Sequence, residues 1–256
     1  MTHFVCLSGL PRSGSTLLSA ILSQNPAIHS EGNSAVQQLM CDLYQSITIN
    51  SVEQFTANHR QKTEDELMIS IPNIYYRHLS KEIKIIVDKS RAWTLSWSVE
   101  LARRYIDKNI KMIVLERPII EVFKSFNKLY VRNGWDEAKR TETLNAMLEP
   151  RGAPITAALE GIKYARQHNQ DNTFLFIQYA DLIENPKDVL ERIYEFCGWE
   201  KYEHNFTHIN NLHPEDDEVY GLKDFHKVRE TISKDEEKFE LPNGFNRGKL
   251  CRHPFN

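Results

Sequence analysis

Apolar residues occur in short unbroken runs, and between them they recur at helical spacing. His3–Leu7, Lys84–Val87, Lys111–Glu116 and Phe174–Gln178 each read as a strand buried on both faces. The first run leads through a glycine-containing loop into a helix predicted to reach about Gln24, where Asn25-Pro26 stops it. Helices are also predicted over Ala92–Tyr105, from Pro118 to about Val131, and over Pro186–Cys197. Strands alternating with helices imply a parallel sheet with helices on both sides, a three-layer α/β, P-loop-like fold. Its functional loops belong at the carboxyl ends of the strands. Residues 33–80 and 135–170 read as polar helices, expected as cap-like insertions. No repeat or linker interrupts the chain, so residues 1–256 are expected to form one domain. The charged, apolar-poor stretch 216–238 is expected to be a mobile flap or a solvated surface segment.

Composition narrows the class without naming a function. Hydrophobic residues at 41% and charged residues at 26% suit a globular chain with a large core. A net charge of −3 argues against a general nucleic-acid binder, and no apolar run suits a membrane span, so neither partner is expected. The amino-terminal residues lack the pattern of a signal peptide, so the mature protein is expected to begin at Met1. Cysteines at 6, 41, 197 and 251 form no CxxC pair and are expected as thiols in a reducing cytoplasm.

The strongest chemical signal is Gly9-Leu10-Pro11-Arg12-Ser13-Gly14-Ser15-Thr16, between the first strand and the first helix. It has the frame of a phosphate-binding loop, with Ser15 where the usual lysine would stand. Backbone N–H groups of Ser13, Gly14, Ser15 and Thr16 at a helix start attract an anion. Arg12 returns the missing cation inside the loop, with a fork that fits two anionic oxygens. Without the lysine, a nucleotide kinase or ATPase is the lesser reading, although Asp88 after Ile86-Val87 keeps a metal-binding carboxylate open.

The segment Leu10-Pro11-Arg12-Ser13-Gly14-Ser15-Thr16-Leu17 resembles the 5′-phosphosulfate loop of sulfotransferases that use 3′-phosphoadenosine 5′-phosphosulfate (PAPS). Its arginine form resembles the tyrosylprotein sulfotransferases and their bacterial relatives more than the cytosolic sulfotransferases. Glu116-Arg117-Pro118 with Ser125 eight residues after Arg117 resembles the family's 3′-phosphate motif. Helical periodicity brings Ser125 to the side of Pro118, where Arg117 is expected to meet it. Asp88-Lys89-Ser90 resembles a lysine segment that contacts the donor, so Lys89 is implied as a second cation. Trp93 just beyond reads either as pocket lining or as core.

The resemblance also implies a base near Glu31, although Gly32-Asn33 stand where the family's glutamates align. His29 competes for that role, since an imidazole titrates near neutrality. Ile177-Gln178-Tyr179 resembles the strand whose tyrosine meets the nucleotide, which implies Tyr179 in donor binding. His226-Lys227-Val228-Arg229-Glu230-Thr231 resembles the late segment that closes over the nucleotide, and Arg247-Gly248-Lys249 an additional cationic contact.

These resemblances imply in-line sulfuryl transfer from PAPS to a hydroxyl or amine, with Arg12 and Lys89 stabilising the transition state and Glu31 or His29 taking the proton. No metal is expected to be required. The acceptor stays open among peptide tyrosine, small alcohol, lipid and sugar. A non-catalytic nucleotide-binding module is the alternative from another class.

Overall fold

The computed structural model describes residues 2–149, 155–233 and 239–248. The chain order is β1 (His3–Gly9), α1 (Ser15–Leu22), β2 (Ile28–Asn33), α2 (Val36–Gln45), a π-helical turn (Ser46–Asn50), α3 (Val52–Ala57) and α4 (Gln61–Tyr75). Then come β3 (Ile85–Lys89), α5 (Ser96–Tyr105), β4 (Lys111–Glu116), α6 (Ile119–Arg132), α7 (Glu137–Ala146) and α8 (Ile155–Gln167). The series ends with β5 (Phe174–Gln178), α9 (Tyr179–Glu184), α10 (Pro186–Cys197) and a 3-10 turn (Asp217–Tyr220).

The five strands form one sheet in the order β2-β3-β1-β4-β5, every neighbouring pair parallel. Buried clusters on its two faces make the third and first layers. One contains Cys6, Met112, Val114, Trp93 and Phe123; the other contains Leu7, Ile113, Leu18, Ile21 and Ile193. Alternate residues of β1 and β4 therefore feed opposite cores, as the two-residue period of a strand requires. The three-layer parallel α/β fold is the expected one, and residues 33–80 and the described residues of 135–170 are largely helical in it, with a strand end at residue 33.

Three local expectations are corrected. Ile28–Asn33, where no strand is expected, is an edge strand paired with β3, Ile28 opposite Ile85 and Ser30 opposite Val87. Its polar sequence hides this, because the pairing and not the residue pattern makes the strand. The helix expected from Ala92 begins at Ser96; the Ser90 hydroxyl accepts the Ala92 N–H (3.3 Å) and the Ser8 hydroxyl donates to the Arg91 carbonyl (3.0 Å), holding a turn instead. Pro118 caps α6 with an extended ψ of 128° rather than forming its first helical residue.

β1 lies in the middle, and the chain leaves it to build outward on both sides. The crevice at its carboxyl end is thus flanked by the tips of β3 and β4. Gly9, with φ +141°, permits the close approach there: a Cβ would stand 2.2 Å from the Leu115 carbonyl oxygen.

Cys6, Cys41 and Cys197 are free thiols, and Cys251 lies outside the described residues. No helix among the described residues is long and apolar enough to cross a membrane.

Candidate active site

A cleft of about 1050 Å³ opens over the carboxyl ends of β1, β3 and β4. Its floor is the loop from β1 to α1. Gly14 stands before the first turn of α1 with φ +92°, and a Cβ there would meet the Tyr179 ring at 2.8 Å. Glycine is needed at this point on both counts. The first bond of α1 runs from the Leu18 N–H to the Gly14 carbonyl (2.9 Å), so the N–H groups of Ser15, Thr16 and Leu17 precede the helical ladder. Ser13 differs from expectation. Its N–H and hydroxyl both bond the Leu10 carbonyl (3.3 and 2.6 Å), so it braces the turn and does not line the cleft.

Arg12 adopts φ +62°, which is unusual for a residue with a side chain. That backbone turn aims its guanidinium across the loop. Nε donates to the Ser125 hydroxyl (3.1 Å), and Nη1 donates to the Phe225 carbonyl. Burial and the neighbouring Arg117 charge bring its pKa down to about 10, which leaves it cationic at neutral pH. Arg117, past the end of β4, donates from Nη1 to the Arg12 carbonyl (2.9 Å), and its guanidinium lies 4.4 Å from the centre of the Tyr179 ring. Arg117 and Ser125 were expected to converge on one side, and both line the cleft; α6 carries the Ser125 hydroxyl over the loop, where it accepts from Arg12.

Lys89 is the last residue of β3, opposite Leu7 in register, rather than part of the loop beyond. It is 4% exposed. Nζ donates to Thr16 Oγ1 (3.4 Å) and pairs with Glu215 Oε2 (3.2 Å). Burial lowers its pKa, and the Glu215 carboxylate opposes that shift. The same carboxylate accepts the Asn33 N–H and the Tyr220 hydroxyl, each at 3.3 Å. Gly32 makes room for it: a Cβ would come within 2.2 Å of Glu215 Cγ.

Asp88 and Trp93 belong to the core. Asp88 is fully buried and accepts from Ser34 (2.5 Å), Tyr76 (2.7 Å) and Trp93 Nε1 (2.6 Å). Burial pushes its carboxyl above the usual range against the pull of those three donors. Trp93 is therefore not pocket lining. Glu31 and His29 project from β2, with Glu31 Oε2 3.2 Å from His29 Nε2. His29 holds the Glu31 carboxyl below its ordinary pKa. Neither residue lines the cleft.

The described part of the charged stretch 216–238, expected as a mobile flap or a solvated surface segment, packs along the cleft. Phe225, His226, Lys227, Val228, Arg229 and Thr231 line the cleft, and His226 is 9% exposed. Glu215, Asp217 and Phe225 were not found by sequence reasoning, because their partners lie far away in the chain and no local spacing marks them. Arg247 pairs at the surface with Glu240 (3.5 Å) and does not line the cleft. Lys249 and residues 234–238 lie outside the described residues. Among the described residues, no group of three or more His, Cys, Asp or Glu side chains is placed to hold a metal ion.

A glycine loop leading into a helix start, cations on three adjacent strand tips and a cleft of about 1050 Å³ invite comparison with known proteins. The model of the sulfotransferase family matches residues 5–204. Among solved structures, the sulfotransferase domain of the Synechococcus PCC 7002 olefin synthase superposes with a TM-score of 0.54 at 19% identity, covering 94% of this chain and 92% of that one. A sulfotransferase from Alicyclobacillus acidocaldarius gives 0.52 at 14% identity, over 86% and 89%. The sulfotransferase domain from the curacin biosynthetic pathway gives 0.51 at 17%, over 84% and 78%. At these identities the superpositions speak to the fold. Comparison with curated proteins gives no match.

Proposed function

Because the chain belongs to the sulfotransferase family, we propose that its sulfuryl donor is PAPS, used to sulfate a hydroxyl or amine acceptor by in-line displacement at sulfur. The observation that carries this reading is the bond from Arg117 to the Arg12 carbonyl. Arg12 and Arg117 both line one cleft of about 1050 Å³, which supports a single ligand that carries anions at both ends.

On this reading the N–H groups of Gly14, Ser15 and Thr16 hold the 5′-phosphosulfate at the start of α1. Arg12 and Lys89 carry charge to the bridging and sulfuryl oxygens as the S–O bond breaks, where preorganised cations lower the barrier most. Arg117 and Ser125 take the 3′-phosphate, and Tyr179 packs beneath the Arg117 guanidinium beside the nucleotide. Catalysis is then mainly positioning and charge, as in other transfers through a loose transition state. Glu31, ionised and paired with His29, would serve as base only for an acceptor that reaches past Asn33.

Thermal shift with 3′-phosphoadenosine 5′-phosphate (PAP) against ATP with Mg²⁺ tests the donor. A ligand at about 100 times its Kd adds about 2.7 kcal/mol to native stability. PAP is expected to raise Tm well above ATP with Mg²⁺ at equal concentration. An equal or larger shift with ATP would return the site to the kinase or ATPase reading.

A further inference from the structure

We propose that His226, oriented by Asp217, is the group that takes the proton from the acceptor, an assignment that rests on the sulfotransferase reading above.

The imidazole is held from two sides. Asp217 accepts the His226 backbone N–H at Oδ2 (2.9 Å) and faces the ring Nδ1 at Oδ1 (2.7 Å). A carboxylate only accepts, so this network assigns the ring proton to Nδ1 and leaves the lone pair on Nε2. Nε2 stands 3.6 Å from Glu215 Oε2, beyond hydrogen-bond distance. The neighbouring residue, Phe225, gives its carbonyl to Arg12, while Glu215 is bound to Lys89. The ring therefore follows the residue that Arg12 contacts and faces the carboxylate that Lys89 holds, and it lines the cleft.

Its surroundings suit a base. The groups facing it are Asp217, Glu215, Lys89 and the rings of Tyr220 (5.2 Å) and Phe225 (4.2 Å). Burial lowers the pKa of His226, against the opposing pull of Glu215 and Asp217, which favours the neutral ring that can accept a proton. Once protonated, the imidazolium lies between two carboxylates, which stabilise the charge that develops. Glu31 has neither property: it stands outside the cleft lining, and its pairing with His29 weakens it as a base.

In the step itself, the acceptor O–H proton passes to Nε2 as the acceptor oxygen forms its bond to sulfur. The bond from sulfur to the bridging oxygen breaks, and its electron pair remains on the 5′-phosphate of PAP. Asp217 is a positioning residue in this scheme.

The test measures PAP release from PAPS with water and with a panel of alcohols, phenols and amines, together with PAP affinity by calorimetry. His226→Gln and His226→Asn are expected to lower kcat by at least about 100-fold and to keep PAP affinity within about threefold of wild type, a binding change under about 0.7 kcal/mol. Asp217→Asn is expected to displace the acidic limb of the kcat–pH profile and to remove the Nδ1–H tautomer seen by ¹⁵N NMR of the PAP complex. Turnover kept in the His226 variants but lost in Glu31→Gln overturns the assignment, as does a loss of PAP affinity that matches the loss of kcat. A His226 ring protonated on Nε2 at pH 7 in the wild-type PAP complex also overturns it. Absence of release by wild type with every acceptor overturns the transferase reading, and this assignment with it.

Discussion

Arg117 Nη1 donates to the carbonyl of Arg12 at 2.9 Å, joining the residue beyond β4 to the loop that follows β1. The bond leaves the rest of the Arg117 fork over Tyr179 and the cleft. One arginine thus steadies the loop backbone that presents the other.

Arg117→Ala removes a charged hydrogen-bond donor from the proposed 3′-phosphate site. Such contacts are worth about 1.5–3 kcal/mol, so PAP affinity is expected to fall by at least about tenfold, with a smaller effect on kcat at saturating donor. Calorimetry with PAP checks it. Wild-type affinity in the variant would misplace the second phosphate.

Arg12→Ala is expected to act on turnover. Loss of one transition-state contact above about 1.4 kcal/mol lowers kcat by more than about tenfold. Arg12 also reaches Ser125 and Phe225, so Arg12→Lys separates charge from geometry: a single ammonium cannot reproduce the fork and is expected to recover only part of the rate. Single-turnover rates decide between the outcomes, and an unchanged rate in Arg12→Ala refutes the role.

Trp93→Phe tests the placement of that indole in the core. Trp93 is fully buried, and its Nε1 donates to Asp88 at 2.6 Å. The variant loses a donor to a buried carboxylate and leaves a gap, together worth about 2 kcal/mol, or roughly 4–8 °C in Tm. PAP affinity is expected to stay at the wild-type value. A fall in affinity without a fall in Tm would return Trp93 to the pocket.

Glu215 couples the site to pH. Burial raises its pKa, but Lys89 first, then His226, pull it back, and the net folded value lies below the ordinary one. A depressed carboxylate stabilises the fold above its unfolded pKa of about 4.3 and loses that contribution as pH falls through the lower folded value. The Tm difference between wild type and Glu215→Gln is therefore expected to be largest near about pH 6 and to shrink below about pH 4. Melting curves across that range measure it, and a difference that grows on acidification contradicts the pairing.

Four of the five strands were legible because their apolar runs are long enough to be buried on both faces. The strand β2 was not. Its residues Ile28-His29-Ser30-Glu31-Gly32-Asn33 carry no such run, and it is a strand only because β3 lies alongside.

Local sequence sufficed for the turn from β1 into α1, since Gly9, Gly14 and the flanking strand and helix act within one short segment. It also named Arg12, Lys89 and Arg117, each at or just beyond a strand tip. Which partner each cation takes was settled only by the fold. Ser125 bonds Arg12 across 113 residues of chain, and Glu215 meets Lys89 across 126. Backbone propensity and hydrophobic period act over a few residues, so they determine elements and the loops between them. Electrostatic pairing of side chains depends on distance in space, and in this chain the crossovers of the parallel sheet set those distances.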